Sequence, residues 1–400
     1  MAADSKAIIR KLFCHSHWLG PAVKHESTIK SSKGGNHMHC CESIQFVFPV
    51  HGDLLNEYDG VETDTTLTVP VTVEAQDGAD IYINGVKADC KNKSYTAKVA
   101  LDGYFNRIEA VDRKSGLSNT ISVIWIKKSG KKYNIAVDDV IWAFRDIYQH
   151  QDTYQSIFDN PYLAMFKRLH DDFGTITHLN LFFETDGFNL TMFPDKYKQE
   201  WEDNADWLTL SFHAKGEFPD DPYAKSSYEQ VLEECKQVEQ EIVRFAGTKV
   251  FNETTGMHWG SPNIYGSRAL RSLGMRAMIG YLTFWEGQPY VSHYLTASQV
   301  LHAEGRDFWK DMDEDIIFVK DDLILNLTEK EDVIPLLEQL KANPHTGGYI
   351  QLLNHEQYYY EDYMKYQSDY EEKMRMSAQW MKDNGYTPAR LEDIVFEKRK

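Results

Sequence analysis

Hydrophobic and polar positions follow two different patterns along the chain, and the pattern changes near residue 130. Between residues 43 and 130, short runs rich in Val, Ile and Thr, such as Thr66–Val73 and Asn119–Ile126, are separated by turn signals such as Asn84-Gly85. Regularly spaced short strands with such turns are typical of a β-sandwich. We therefore predict an all-β sandwich domain over residues 43–130.

From residue 131 onward, apolar runs of strand length alternate with amphipathic segments. Tyr133–Val137 and Tyr349–Leu353 are examples of the first kind, and Ser227–Phe245 carries apolar side chains at helical spacing. Strands that alternate with helices indicate parallel βαβ units. We predict an α/β domain over residues 131–400, a distorted seven-stranded (β/α) barrel with its site at the carboxyl ends of the strands. The predicted helices cover residues 161–173, 194–204, 227–245, 267–273, 330–341 and 361–384.

The first 42 residues fit neither pattern. They are polar and contain clustered cysteine and histidine residues, namely Cys14, His15, His17, His25, His37, His39, Cys40 and Cys41. Such residues can bind zinc, but their spacing matches no common finger or ribbon. We predict a poorly ordered or irregular arm, with a structural zinc clip as the alternative.

The net charge and the composition of the chain limit the kinds of molecule that it is expected to bind. The chain has 400 residues, with 61 Asp and Glu against 43 Lys and Arg, for a net charge of −18. An acidic chain without a basic run repels phosphate backbones and anionic lipids, so we expect no nucleic acid partner. No apolar run reaches the roughly 20 residues of a membrane span. The start lacks a signal peptide, which predicts a cytoplasmic location, or an extracellular or periplasmic one if a leader was removed.

Polar residues follow the predicted strands of the second domain, where chemistry would be expected. These residues are Asp138, Asp139, His213, Glu217, Glu253, His258, His355 and Glu356. Each alone has an ordinary structural explanation, such as a helix cap for an Asp pair. Together, carboxylates and histidines at one end of a sheet are typical of a hydrolytic metal site. The sequence thus predicts a divalent metal, with Zn²⁺ as the first candidate and Co²⁺, Ni²⁺ or Mn²⁺ as alternatives.

The order of these motifs resembles the polysaccharide deacetylase superfamily, over roughly residues 133–400. That family has an Asp-Asp pair after an apolar strand, matched by Asp138-Asp139. Its His-Ser/Thr-x-x-His motif is similar to His213-Ala-Lys-Gly-Glu217, and its terminal Leu-x-His motif is similar to Leu352-Leu-Asn-His355. The family's Arg-x-Pro motif is missing. Upstream, the stretch from Tyr104 to Val123 resembles the closing strands of bacterial immunoglobulin-like modules.

The resemblance implies a role for each matched residue. It implies Asp138 as general base, Asp139 and His213 as metal ligands, and His355 as general acid. The third ligand stays open, because Glu217 stands where the family has histidine. We favour His258, since two histidines and one carboxylate form a common catalytic zinc set.

The resemblance also implies a metal-dependent hydrolase that removes an N- or O-acetyl group from a carbohydrate, so the expected partner is an acetylated glycan or amino sugar. Two alternatives remain open. One is a metal-independent glycoside hydrolase that uses Asp139 and Glu253. The other is a non-catalytic carbohydrate-binding or assembly protein. Candidates for substrate contacts are Trp259, Trp285, Tyr223 and Glu356.

Overall fold

The structure is a computed structural model, and it describes residues 43–397. The predicted arm at residues 1–42, with its cysteine and histidine cluster, lies outside the described residues.

Residues 43–126 form two antiparallel sheets around a common apolar core. The strands are β1 (Gln45–Phe48), β2 (Leu54–Leu55), β3 (Val61–Glu62), β4 (Leu67–Glu74), β5 (Ile81–Ile83), β6 (Val86–Lys87), β7 (Asp89–Lys91), β8 (Ser94–Leu101), β9 (Phe105–Asp112) and β10 (Ser118–Trp125). One sheet has the order β1-β4-β8-β7 with β3 on β4, and the other β2-β10-β9-β5-β6. Within this pattern β2 runs parallel to β10. The prediction that this region is all-β is confirmed, with mostly antiparallel sheets, whereas the immunoglobulin-like identity of the sandwich stays a prediction.

Strand β4 shows why these residues form sheets. Its alternate residues Leu67, Val69, Val71 and Val73 are fully buried, while the residues between them are half-buried or exposed. Successive side chains of a strand point to opposite faces, so this alternation places one face in the core.

Residues 132–397 form a mixed α/β structure with parallel sheets. The strands are β11 (Lys132–Val140), β12 (Thr177–Phe182), β13 (Glu184–Thr185), β14 (Phe188–Asn189), β15 (Leu208–Ala214), β16 (Thr254–Gly256), β17 (Ala277–Gly280), β18 (Thr283–Trp285), β19 (Gln288–Tyr290), β20 (Phe308–Asp311), β21 (Ile316–Lys320), β22 (Leu323–Ile324), β23 (Tyr349–His355) and β24 (Thr387–Pro388). The helices are α1 (Trp142–Gln149), α2 (Pro161–Phe173), α3 (Lys198–Asp203), α4 (Tyr228–Phe245), α5 (Ile264–Ser272), α6 (Ala297–Ala303), α7 (Lys330–Lys341), α8 (Pro344–Gly347), α9 (Tyr370–Asp383) and α10 (Leu391–Val395).

The central sheet has the order β15-β12-β11-β23-β22, and all its neighbouring pairs are parallel. Strand β11 is buried along nearly its whole length, as expected for a strand covered on both faces. A second sheet has the order β16-β17-β21-β20, with β20 antiparallel at its edge. A parallel bridge between Leu210 and Phe251 links the two sheets on one side. On the other side, the Asp322 backbone N–H donates to the Gln351 carbonyl.

Local capping explains the bounds of α2, which match the predicted helix at 161–173. The Asn160 side chain accepts a hydrogen bond from the Leu163 N–H, and Pro161 occupies the first helical position. Both features favour a helix start. Gly174 then ends the helix in the left-handed conformation, with φ of 69°.

The antiparallel and α/β parts share an apolar cluster. Leu54 and Ile124 from the first part pack with Ile279, Phe308 and Ile317 from the second. Polar contacts also cross this boundary: Tyr104 Oη donates to the Val395 carbonyl at 2.7 Å. Arg306 Nη2 lies 2.9 Å from the fully buried Asp59 carboxylate. The two parts are therefore joined by a packed interface, and the predicted domain boundary at 130/131 stays a prediction.

Across residues 43–397, none of the helices combines the length and the apolar composition needed to cross a membrane.

Candidate metal centre

Three side chains with metal-binding atoms meet at the carboxyl ends of the parallel strands. Asp139 lies near the end of β11, His213 near the end of β15, and His258 shortly after β16. All three are buried, and in the described part of the chain they form the one group of this kind that could hold a metal ion. Asp139 Oδ1 lies 3.0 Å from His213 Nε2 and 3.2 Å from His258 Nδ1. The two ring nitrogens are 3.1 Å apart.

Each histidine is oriented by a backbone carbonyl on its far side. His213 Nδ1 donates to the Gly256 carbonyl, and His258 Nε2 donates to the Glu217 carbonyl at 3.2 Å. When both rings are neutral, His213 Nε2 and His258 Nδ1 carry lone pairs that face the same point as the Asp139 carboxylate, which is the arrangement that a metal ion needs. Metal-binding histidines commonly donate their second N–H in this way, which fixes the tautomer. When protonated, His213 instead donates its Nε2–H to Asp139 Oδ1 at 3.0 Å.

The triangle of donor atoms fits a divalent ion. Zinc binds histidine nitrogen and carboxylate oxygen at about 2.0–2.2 Å, which in a tetrahedron separates the ligand atoms by about 3.3–3.6 Å. The observed separations of 3.0–3.2 Å are close to this range. The buried group of Asp139, His213 and His258 could therefore bind a metal.

The charges of this group depend on one another. Burial disfavours a charge on His213, but the carboxylates of Asp138 and Asp139 raise its pKa to about 9. Burial alone would raise the pKa of Asp139, yet hydrogen bonds with His213 and His258 hold it well below its usual value. Asp139 is therefore ionised, as a metal ligand must be.

Asp138 lies beside this group, and an amide orients it. Asn180 Nδ2 donates to Asp138 Oδ1 at 2.7 Å. Burial raises the pKa of Asp138, with an opposing effect from the nearby histidines. Gly256 leaves room for this contact, because a Cβ there would lie 3.1 Å from both Asp138 Oδ1 and Asn180 Nδ2. Asn180 thus holds one oxygen of the Asp138 carboxylate in place.

His355 is the neighbour of Asp138 across the sheet. The register of β11 and β23 pairs these two residues directly. His355 Nδ1 donates to Asn326 Oδ1 at 3.0 Å, so in the neutral ring the lone pair lies on Nε2. The carboxylate and the imidazole therefore lie side by side next to the candidate metal ligands.

Glu217 contributes to the centre with its backbone rather than its side chain. Its carbonyl accepts from His258, while its carboxylate accepts from Gln357 Nε2 at 3.1 Å. Burial, together with the charge of Asp139, raises the pKa of Glu217 to about 7. Of the two candidates for third ligand, the structure thus brings in His258 and keeps the Glu217 carboxylate outside the donor triangle.

The predicted substrate contacts separate into two groups. Trp259 follows His258 directly and is 42% exposed, and Trp285 lies half-buried on β18. Tyr223 is buried instead, and its hydroxyl donates to Glu234 at 2.8 Å. Glu356 is also fully buried, with its carboxylate bound to backbone N–H groups. The structure therefore contradicts a substrate contact for Tyr223 and Glu356, because their polar atoms already have partners inside the protein.

The carboxylate pair of the glycosidase alternative is not brought together. Asp139 lies near the carboxyl end of its strand, whereas Glu253 immediately precedes β16 at the opposite end of the sheet. Glu253 also forms an ion pair with Arg276 at 3.1 Å.

Several residues of the site were missed by sequence reasoning, namely Asn180, Asn326 and Gln357. A single amide in the apolar strand Thr177–Phe182 was a usable signal for Asn180. The other two lie in short 3₁₀ helices that follow strands and offered no comparable signal.

No family model and no curated protein matches the chain. Among solved structures, it is similar to a CE4 family pseudoenzyme from Bacillus anthracis, with 12% identity, a TM-score of 0.32, and coverage of 74% of this chain and 85% of that one. A mutant of that pseudoenzyme with restored enzymatic activity gives the same TM-score and identity, with coverage of 74% and 88%. A peptidoglycan N-acetylglucosamine deacetylase gives a TM-score of 0.35 at 10% identity, with coverage of 66% and 88%. These values are too low to carry an argument, so the functional conclusions rest on the residues themselves.

Proposed function

We propose that this protein is a metal-dependent hydrolase that removes an acetyl group from a carbohydrate. The observation that carries the proposal is the joint placement of Asp139, His213 and His258 as a donor triangle, with Asp138 and His355 paired beside it. In this proposal the parallel strands correspond to a distorted seven-stranded (β/α) barrel over residues 131–400, preceded by an immunoglobulin-like sandwich over residues 43–130. The ligand set favours Zn²⁺.

Asp139, His213 and His258 hold the metal, which when bound supplies positive charge that polarises a carbonyl and lowers the pKa of a water molecule. Asp138 accepts a proton from the attacking water, and Asn180 holds its carboxylate in place. His355 donates a proton to the departing amine or alcohol, with Asn326 fixing the ring. The products are acetate and the free amino or hydroxyl group of the sugar. Acid and base catalysis of this kind contributes about 10²–10⁴-fold in rate.

Trp259 and Trp285 are proposed to contact the sugar. An exposed indole beside the donor triangle suits the apolar face of a sugar ring.

The test combines metal analysis of the purified protein with an acetate assay on a panel of N- and O-acetylated glycans. We expect about one zinc ion per chain and acetate release from at least one substrate. Asp138→Asn should lower acetate release by about 10²–10⁴-fold while zinc content is unchanged, because Asp138 acts as base and not as ligand. Asp171→Asn, an exposed aspartate paired with Lys167, is the matched control and should leave both values unchanged.

Two outcomes would overturn the proposal. Zinc-loaded protein that releases no acetate from any glycan would leave a non-catalytic binding protein on this fold. Activity that survives complete zinc removal would exclude the metal-dependent reaction.

A further inference from the structure

Glu356 directly follows His355, and its side chain enters the protein interior. It is 0% exposed. One carboxylate oxygen accepts from the Ile141 and Trp142 N–H groups at 2.6 Å each, and the other accepts from the Ala143 N–H at 2.8 Å. The first N–H groups of a helix have no partner within the helix, so an outside acceptor must satisfy them. Glu356 does this for α1, since the side chain of Ile141 supplies no cap.

Helix α1 begins immediately after the segment that carries Asp138 and Asp139. The register between β11 and β12 shifts between Val137 and Val140, so the two aspartates lie on an irregular part of the strand. Asp139 also has φ of 63°, in the left-handed region that non-glycine residues rarely adopt. Such a conformation persists only where the surrounding structure enforces it. The sheet fixes the chain before Asp138, and Glu356 fixes it after Val140.

The hydrogen bonds of Glu356 connect the segment that carries Asp138 and Asp139 with the segment that carries His355. Asp138 pairs with His355 in the sheet, and the next residue, Glu356, binds the backbone two to four residues after Asp139. The charge of Glu356 suits this position, because the amino end of a helix carries partial positive charge. Burial raises the pKa of Glu356 to about 7, while the three N–H groups and the charge of Arg145 on the same helix oppose this rise and favour the carboxylate.

We propose that Glu356 is a positioning residue: by holding the first turn of α1, it sets Asp138 and Asp139 in place relative to His355. The effect on metal binding follows from the geometry alone, and the effect on turnover also rests on the proposed function. Glu356 forms no hydrogen bond with Asp139, His213 or His258, so it acts on them through the backbone that it binds.

The test compares Glu356→Gln with a matched substitution, Glu392→Gln. Glutamine has the same size as glutamate, but its amide nitrogen cannot accept a hydrogen bond, so at least one N–H of α1 loses its partner. Glu392 is a second largely buried glutamate, on α10, near the amino end of β23 and hence at the opposite end of the sheet. A Glu356→Asp variant keeps the charge but shortens the side chain.

For Glu356→Gln we expect zinc affinity, measured by chelator competition, to fall by about 10–100-fold, as for other groups that orient metal ligands. We expect kcat to fall by a similar factor, with KM changed by less than about 3-fold. Amide hydrogen exchange over residues 141–149 should accelerate. Glu356→Asp should give smaller changes in the same direction, and Glu392→Gln should leave zinc affinity and kcat unchanged.

A purely structural role predicts a different result. Glu356→Gln would then lower the melting temperature without any change in zinc affinity or kcat of the folded protein, and that result would overturn the proposal. If Glu356→Gln does not fold, unchanged zinc affinity in Glu356→Asp would overturn it equally. If the wild-type protein binds zinc but releases no acetate, the proposed function fails, while zinc affinity and hydrogen exchange still decide the role of Glu356.

Discussion

Two histidines on neighbouring strands, His178 on β12 and His213 on β15, are both almost completely buried, at 2% and 1% exposure. His178 is surrounded by hydroxyl and amide groups, whereas His213 faces two carboxylates. Burial lowers the pKa of His178 to about 3, while Asp138 and Asp139 overcome the same effect and raise the pKa of His213 to about 9. The nearby partner, rather than burial itself, therefore decides whether a buried histidine belongs to a reactive site.

The polar surroundings of His178 and of His213, referred to below as the two regions, are nevertheless connected by hydrogen bonds. His178 Nε2 donates to Ser211 Oγ at 2.9 Å, and Ser211 Oγ donates to Asn180 Oδ1 at 2.7 Å. Asn180 Nδ2 then donates to Asp138. A neutral hydrogen-bonded chain thus supports the proposed base from the interior of the sheet.

Replacing each histidine in turn by alanine should give the largest difference between the two regions. We expect His213→Ala to lower zinc affinity by more than about 100-fold, because loss of a ligand exceeds the 10–100-fold effect of groups around it. His178→Ala should change zinc affinity by less than about 3-fold, but should lower the free energy of unfolding by about 1–3 kcal/mol, since its hydroxyl and amide partners are left unpaired. Chelator competition and urea unfolding measure the two effects. Equal losses of zinc affinity would refute the distinction between the two regions.

The pH dependence of the unfolding free energy tests whether His178 is held neutral in the folded protein. The folded pKa of His178 is about 3 and its ordinary value is 6.5, so below pH 6.5 the unfolded chain gains a proton that the folded protein excludes. This group should therefore cost about 1.4 kcal/mol of stability for each pH unit between 6.5 and 3. We expect His178→Gln to remove that loss.

Urea unfolding of metal-free wild-type and His178→Gln proteins at pH 7, 6 and 5 provides the measurement. Their difference in stability should move in favour of the variant as the pH falls. A constant difference across this range would show that His178 is not held neutral.

Ser211→Ala should give the smallest effect, because it removes only the hydroxyl that joins His178 to Asn180. We expect a loss of about 1 kcal/mol in unfolding free energy, typical of one hydrogen bond. Acetate release should fall by about 3–10-fold as Asn180 loses one partner, a change of about 1 kcal/mol in barrier height. Zinc affinity should not change. Activity equal to that of the wild type would show that the chain does not support Asp138.

Local sequence signals were enough to predict much of the fold. The helix at residues 161–173 has its cap, its proline and its terminal glycine within its own sequence, and its predicted bounds match the structure. Strand β11 and the Asp138-Asp139 pair were likewise predictable from a continuous apolar run that ends in acids.

Features that depend on distant residues were not predictable. No helix was predicted at Trp142–Gln149, and its capping group is Glu356, which lies 215 residues from Ile141. The predicted helix at 361–384 starts later, at Tyr370. Tyr223 was predicted to contact the substrate, whereas its burial against Glu234 follows from tertiary packing, which the local sequence does not show.

The apolar cluster shared by the antiparallel and α/β parts limits how the chain can be cut or recombined. A fragment that begins at residue 131 would leave Ile279, Phe308 and Ile317 facing water, and a fragment that ends at residue 130 would expose Leu54 and Ile124. Adjoining exposed apolar side chains promote aggregation. In protein engineering, and equally in evolutionary shuffling, the α/β part can therefore be moved only together with a β-sheet partner of matching surface.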